Sequence, residues 1–248
     1  MHHCSEPFTY VLLPGDNLFQ LSRVYKTTVQ SILKENPELD PYNLRAGNSV
    51  CITPGGQSAP TEVCDACPDS ALQFQLLSDM RYRWAQHVYW TRLFLISAAE
   101  RLRDQKDTEN RLLKNPKDIA GIFSAYYNAE TARTVERLLT EHLQIGGAFV
   151  TALRDKRAAE AEKLKAEWYR NAERTTKAFS EINPYYVHDE LLRMLNTHLD
   201  LTTKEIVARL IADYAADVAA FDVIEEEALS MADYLSVGIM QQFPQKFQ

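Results

Sequence analysis

Apolar positions follow two different rules on either side of residue 70. Before it, two short strand-like runs, Tyr10 to Leu13 and Ser49 to Thr53, flank stretches in which apolar residues return every three or four positions: Leu18, Leu21, Val24 and Tyr25, then Val29, Ile32 and Leu33. This predicts a strand, two short amphipathic helices and a second strand, the helices too short to be stable without the sheet they cover. Beyond residue 70 no alternation survives, Ala, Leu, Glu, Lys and Arg dominate, and glycine is confined to Gly121, Gly146, Gly147 and Gly238. Helices are expected at about 70–104, 107–114, 116–127, 129–155, 157–181, 186–199 and 203–242. Asn115-Pro116 and Asn183-Pro184 interrupt the pattern, because proline lacks the helical N–H and restricts the residue before it. Thr202 with Glu205 has the spacing of a capping box and is expected to start the last helix. The fold class predicted is a small α+β unit (βααβ) at 1–55, a linker at 56–69 rich in Pro, Gly and Cys, and an all-α antiparallel helical bundle at 70–248.

The first unit carries recognisable punctuation. Pro14-Gly15-Asp16 follows the first strand, Asn36-Pro37 follows the second helix, and Asp40-Pro41-Tyr42-Asn43-Leu44 with Arg45-Ala46-Gly47-Asn48 leads into the second strand. Gly15 and Gly47 stand where the chain must reverse, and glycine tolerates positive φ there. With these motifs, residues 10–54 resemble the LysM domain, which implies a βααβ fold and binding of N-acetylglucosamine polymers such as peptidoglycan or chitin. The resemblance implies a shallow groove between two loops, here Gly15, Asp16, Asn17 and Leu18, and Pro41, Tyr42, Asn43, Leu44 and Arg45. Backbone amides and Asn or Asp side chains there suit an acetamido group, and Tyr42 and Leu44 suit its methyl and the sugar face. Asn17 departs from the usual Thr but keeps a hydrogen-bonding side chain. The resemblance also implies a disulfide between Cys4 and Cys51, against the alternative of two free thiols. The lone Cys64-x-x-Cys67 in the linker is half a zinc site at most, and a local or intermolecular disulfide is its expected role.

Charge narrows the partners. Of a net −7, residues 1–60 hold four Lys/Arg against five Asp/Glu, and no basic stripe appears, so nucleic acid is not an expected partner. The longest apolar run, Leu93 to Ala99, is far below the roughly 20 residues of a membrane span, and the first residues show no secretory signal. The expectation is a soluble chain. A LysM unit beside such a helical region resembles spore-envelope proteins of spore-forming bacteria, which implies the spore envelope or cell wall, with the cytoplasm as the alternative. The implied partners are an N-acetylglucosamine-containing glycan and, through the bundle, further copies or other coat proteins.

The helical region hides a repeat. His87, His142 and His198 lie 55 and 56 residues apart, each followed by a similar local pattern, and Asn115, Asn171 and Glu226 or Glu227 stand 28 or 29 residues further on. Three helical hairpins from a triplicated ancestor would give this spacing. Each histidine shares its helix face with apolar residues, Trp84 and Phe94, Leu138 and Phe149, or Met194 and Leu201. The simpler reading, and the one preferred on sequence, is a core imidazole hydrogen-bonded to a neighbouring hairpin. The sharper one is a metal site in which His87, His142 and His198 meet, with Asp213, Asp217 or a residue of Glu225 to Glu227 as a carboxylate ligand. The ExxH spacing of di-iron bundles is missing. Trp84, Trp90 and Trp168 are expected in the core rather than on sugars, and no nucleophile motif or phosphate loop stands out. The expectation is a non-catalytic glycan-binding protein without a cofactor; the alternative is a LysM-targeted metal-binding or enzymatic bundle with a histidine site.

Overall fold

A computed structural model describes residues 8–13, 16–39, 44–54 and 71–247, and the chain divides into two compact units, residues 1–65 and 66–248. In the first, β1 (Phe8–Val11) and β2 (Ser49–Ile52) pair antiparallel with Phe8 opposite Ile52 and Thr9 opposite Cys51. Helices α1 (Leu18–Val24) and α2 (Val29–Glu35) cover one face of this ribbon. Leu12, Leu18, Leu21, Ile32, Val50 and Ile52 form the core, with Tyr25, Val29, Leu33 and Leu44 packed around it. Val24 is the exception to the predicted face: at the end of α1 it is 69% exposed.

Side chains tie this small unit where its strands are too short to do so. The Asn36 amide donates to the carbonyls of Ile32 and Cys51, both at 2.7 Å, and accepts from the Cys51 amide at 2.8 Å. It thus supplies β2 with the hydrogen bonds of a missing third strand. Thr28 caps α2 by accepting from the Ser31 amide. Gly47 has φ of 90°, the left-handed conformation that glycine adopts without a Cβ clash, and its amide donates to Leu12. Gly15 lies outside the described residues.

The second unit is helical throughout its described length: α3 (Ala71–Ala99), α4 (Gln105–Leu112), α5 (Asn115–Ser124), α6 (Ala129–Arg154), α7 (Ala158–Ile182), α8 (His188–Leu210) and α9 (Tyr214–Gln242), with a closing 3-10 turn at Pro244–Lys246. They pack as three hairpins, α3 with α4 and α5, α6 with α7, and α8 with α9, and α3 also touches α6 and α8. Helices α3, α6 and α8, the first of each hairpin, therefore share an interior. Each hairpin turns over the same way. Arg101, Lys156 and Ala212 take φ of 54°, 57° and 61°, and the amide after each donates back across the turn, to Ser97, Ala152 and Ala208, all at 2.9 Å. This is the Schellman closure, made here without glycine. The three turn residues stand 14 positions after the three histidines, so the hairpins repeat in geometry as they do in sequence.

The start of the last helix departs from the sequence reading. Thr202 lies inside α8, where its hydroxyl donates to the His198 carbonyl one turn back. Glu205 is buried against Arg92 rather than closing a capping box. The break falls at Ile211–Asp213, with the Asp213 carboxylate accepting from the Ala216 amide as the cap of α9. Among the described residues no helix is long and apolar enough to cross a membrane.

Candidate functional site

In the first unit the expected glycan residues divide. Gly15, Pro41, Tyr42 and Asn43 lie outside the described residues. Asp16 caps the turn after β1, its carboxylate accepting from the Leu13 amide at 2.7 Å and from the Tyr10 hydroxyl at 2.8 Å. That pairing raises the Tyr10 pKa. Leu18 is buried in the core, so only its backbone can meet a sugar; Asn17 and Leu44 are half-buried and Arg45 is exposed. Cys51 is a free, half-buried thiol in this structure, which gives the expected disulfide no support. Cys4, Cys64 and Cys67 lie outside the described residues.

In the second unit the three histidines meet. His87 on α3, His142 on α6 and His198 on α8 are 9%, 6% and 7% exposed, and their ring centroids form a near-equilateral triangle of 6.0, 5.8 and 6.1 Å. One ring nitrogen of each lies within 4.8 Å of the other two, and among the described residues this is the group of His, Cys, Asp or Glu side chains that could hold a metal ion.

His87 and His198 are oriented by the returning helix of their own hairpins, not by a neighbouring hairpin as the sequence suggested, and Asn171 stands at the equivalent place for His142. Asn115 on α5 donates to the Arg83 carbonyl at 2.9 Å, which turns its oxygen toward His87 Nδ1 at 3.1 Å. Asn171 on α7 repeats the geometry, donating to Leu138 at 3.1 Å. Its oxygen interacts with His142, although the contact falls short of a well-formed hydrogen bond. Glu227 on α9 takes the third place, 3.0 Å from His198 Nδ1, with its other oxygen buried and unpaired. Arg83 and Leu138 are each four residues before a histidine, so Asn115 and Asn171 bridge equivalent positions of the first two hairpins, whereas Glu227, a carboxylate without a proton to donate, contacts only His198. The sequence spacing had singled out these three residues as repeat markers without assigning them this role. Because an amide or carboxylate oxygen only accepts, the Nδ1 atoms of His87 and His198 carry the proton, and the Nε2 atom of each is left with the acceptor lone pair.

The other expected carboxylates lie elsewhere. Asp217 pairs with Arg92 at 3.0 Å and Arg209 at 2.9 Å, in a buried network with Glu205 that ties α3, α8 and α9. Glu225 accepts from the Tyr89 hydroxyl, and Asp213 is a helix cap. Burial pushes Glu205 up to about 7 despite Arg92. Burial, with the neighbouring histidines, pushes His87 down to about 4 and His142 well below the ordinary imidazole value.

Two small cavities flank the triad. One, of about 30 Å³, is lined by Thr91, Gly146 and Thr202, four residues after each histidine, and by Trp168. The other, of about 40 Å³, is lined by Trp84, Leu139 and Leu195, three residues before. Trp84 and Trp168 are buried, and Trp90 lies beneath the Arg111 guanidinium, so all three serve packing as expected. The triad therefore sits on the pseudo-threefold axis between two apolar chambers, each large enough for a water molecule or two.

Residues 10–53 match the LysM domain family, so the first unit is a LysM domain. No curated protein and no solved structure matches the chain.

Proposed function

We propose that the LysM domain holds the chain on an N-acetylglucosamine polymer of the cell wall or spore envelope, and that the helical unit is the part so anchored, in a non-catalytic role. The observation that carries this reading is the LysM match over residues 10–53, supported by the paired ribbon and by a core that includes Leu18 and has Leu44 packed against it, each at the edge of one of the two expected loops. Asp16, in the first expected loop, accepts from the Leu13 amide and the Tyr10 hydroxyl of the first strand and its end. Asn17 and Arg45, together with Gly15, Pro41, Tyr42, Asn43 and Leu44, are the residues expected to meet the sugar. A shallow groove buries little of each sugar, so affinity grows with oligomer length. Titration of the full chain with N-acetylglucosamine oligomers of increasing length tests this: saturable binding that tightens with length and weakens on Asn17→Ala is expected. No heat and no spectral change at millimolar oligomer would overturn it.

A further inference from the structure

We propose that His87, His142 and His198 form a binding site for one first-row transition-metal ion on the pseudo-threefold axis of the helical unit. Four observations converge on it. The three imidazoles come from equivalent positions of three hairpins and close to within 4.8 Å at their ring nitrogens. Asn115 and Glu227 hold the Nδ1 protons of two of them outward, and Asn171 stands at the same place behind the third. Among the described residues no hydrogen bond reaches Nε2 of His87 or His198, so two of the three clustered rings keep an acceptor lone pair for a ligand. One metal ion at the centre of the triangle would take a ring nitrogen from all three histidines as ligands.

The geometry is close to what an ion needs. Metal–nitrogen bonds of about 2.0 to 2.1 Å in tetrahedral geometry place three ligand nitrogens about 3.3 Å apart. From 4.8 Å, each ring would move inward by less than about 1 Å, within the reach of side-chain rotation. Three neutral imidazoles select zinc, cobalt, nickel, copper or iron over calcium or magnesium, which require oxygen ligands. A dication in this buried interior needs a counter-charge, and Glu227 behind His198 supplies it. A histidine backed by a carboxylate or amide oxygen is the usual outer shell of a metal-bound imidazole, fixing its tautomer and raising its basicity. With three protein ligands the coordination sphere stays open, and the flanking chambers limit the remaining position to water or an equally small ligand.

The full chain, stripped of metal with a chelator, is titrated with Co²⁺ and Zn²⁺ while visible absorption and heat are followed. Binding of one equivalent is expected, with the ligand-field bands of a four- or five-coordinate cobalt ion. His142→Gln and His198→Gln should weaken it by about 100-fold or more, and Glu227→Gln by about 10- to 100-fold through His198 alone. Circular dichroism of each metal-free variant checks that it is folded. If a variant does not fold, X-ray absorption of the zinc-loaded wild-type chain reads the ligands directly, and three imidazoles are expected. No saturable binding by the wild type, unchanged affinity in folded His142→Gln, or a ligand set without three imidazoles would overturn the site. Glycan binding is independent of these outcomes.

Discussion

Gly238 shows how closely the bundle is built. A Cβ there would come within 2.2 Å of the Tyr186 ring, which is almost fully buried and tethered through its hydroxyl to the Leu235 carbonyl at 2.7 Å. The ring cannot swing aside without breaking that bond, so Gly238→Ala should cost about 1 to 3 kcal/mol or more by overpacking. Gly121 is the control, since nothing lies within 4 Å of its missing Cβ. Gly121→Ala should raise stability by about 0.5 to 1 kcal/mol through helix propensity. Urea unfolding of both variants checks the pair, and a similar loss in each would contradict the packing argument. Neither difference was legible in the sequence, where both are single glycines in helical surroundings; what separates them is the distant Tyr186.

At the scale of elements, the hairpin turns decide where helices end. The sequence marks some helix breaks well: Asn115-Pro116 and Asn183-Pro184 act locally through proline, and α5 starts at Asn115 and α7 ends at Ile182. It does not mark the α8–α9 turn, because Ala212 in a left-handed conformation carries neither glycine nor proline. Thr202 and Glu205, by contrast, carry a misleading cap signal inside α8. Ala212→Gly should relieve the positive-φ strain and raise stability by a few tenths to about 1 kcal/mol. Thermal unfolding checks this, and a lower Tm would show that the turn's backbone is not strained.

For the whole helical unit, the buried titratable groups set a pH dependence in the metal-free state. The folded unit holds His87 at about 4 and His142 well below 6.5, whereas the unfolded chain takes up their protons near 6.5. Their contribution to stability is complete above about 6.5 and is lost as pH falls toward 4. Glu205, raised to about 7 from 4.5, acts in the opposite sense: its contribution is complete below about 4.5 and is lost as pH rises through 7. Two histidines outweigh one glutamate, so stability in chelator should rise from pH 4.5 to a maximum near 6.5 and then fall slightly. Glu205→Gln should steepen the rise and remove the fall. Urea midpoints at pH 5, 6.5 and 8 test both signs, and a flat profile would show that the histidines do not stay neutral on folding.

The sequence by itself determined what local spacing can encode. The strand, helix and turn order of residues 10–54 is a pattern of apolar periods and turn residues, and it sufficed to identify a LysM domain. The helical content beyond residue 70, the faces carrying His87, His142 and His198, and their equal spacing were likewise readable, because periodicity records which side of a helix is buried. What lies across that side was decided only by tertiary packing. The spacing admitted histidines bonded to neighbouring hairpins; the fold instead gives His87 and His198 an orienting residue 28 or 29 positions on, in their own hairpins, and places Asn171 likewise behind His142, because a helix that turns back antiparallel brings that position opposite the histidine. With Nδ1 of His87 and His198 so engaged, closing three hairpins around one axis left the three imidazoles facing one another. That convergence belongs to helices α3, α6 and α8 together, and it follows from no single stretch of the chain.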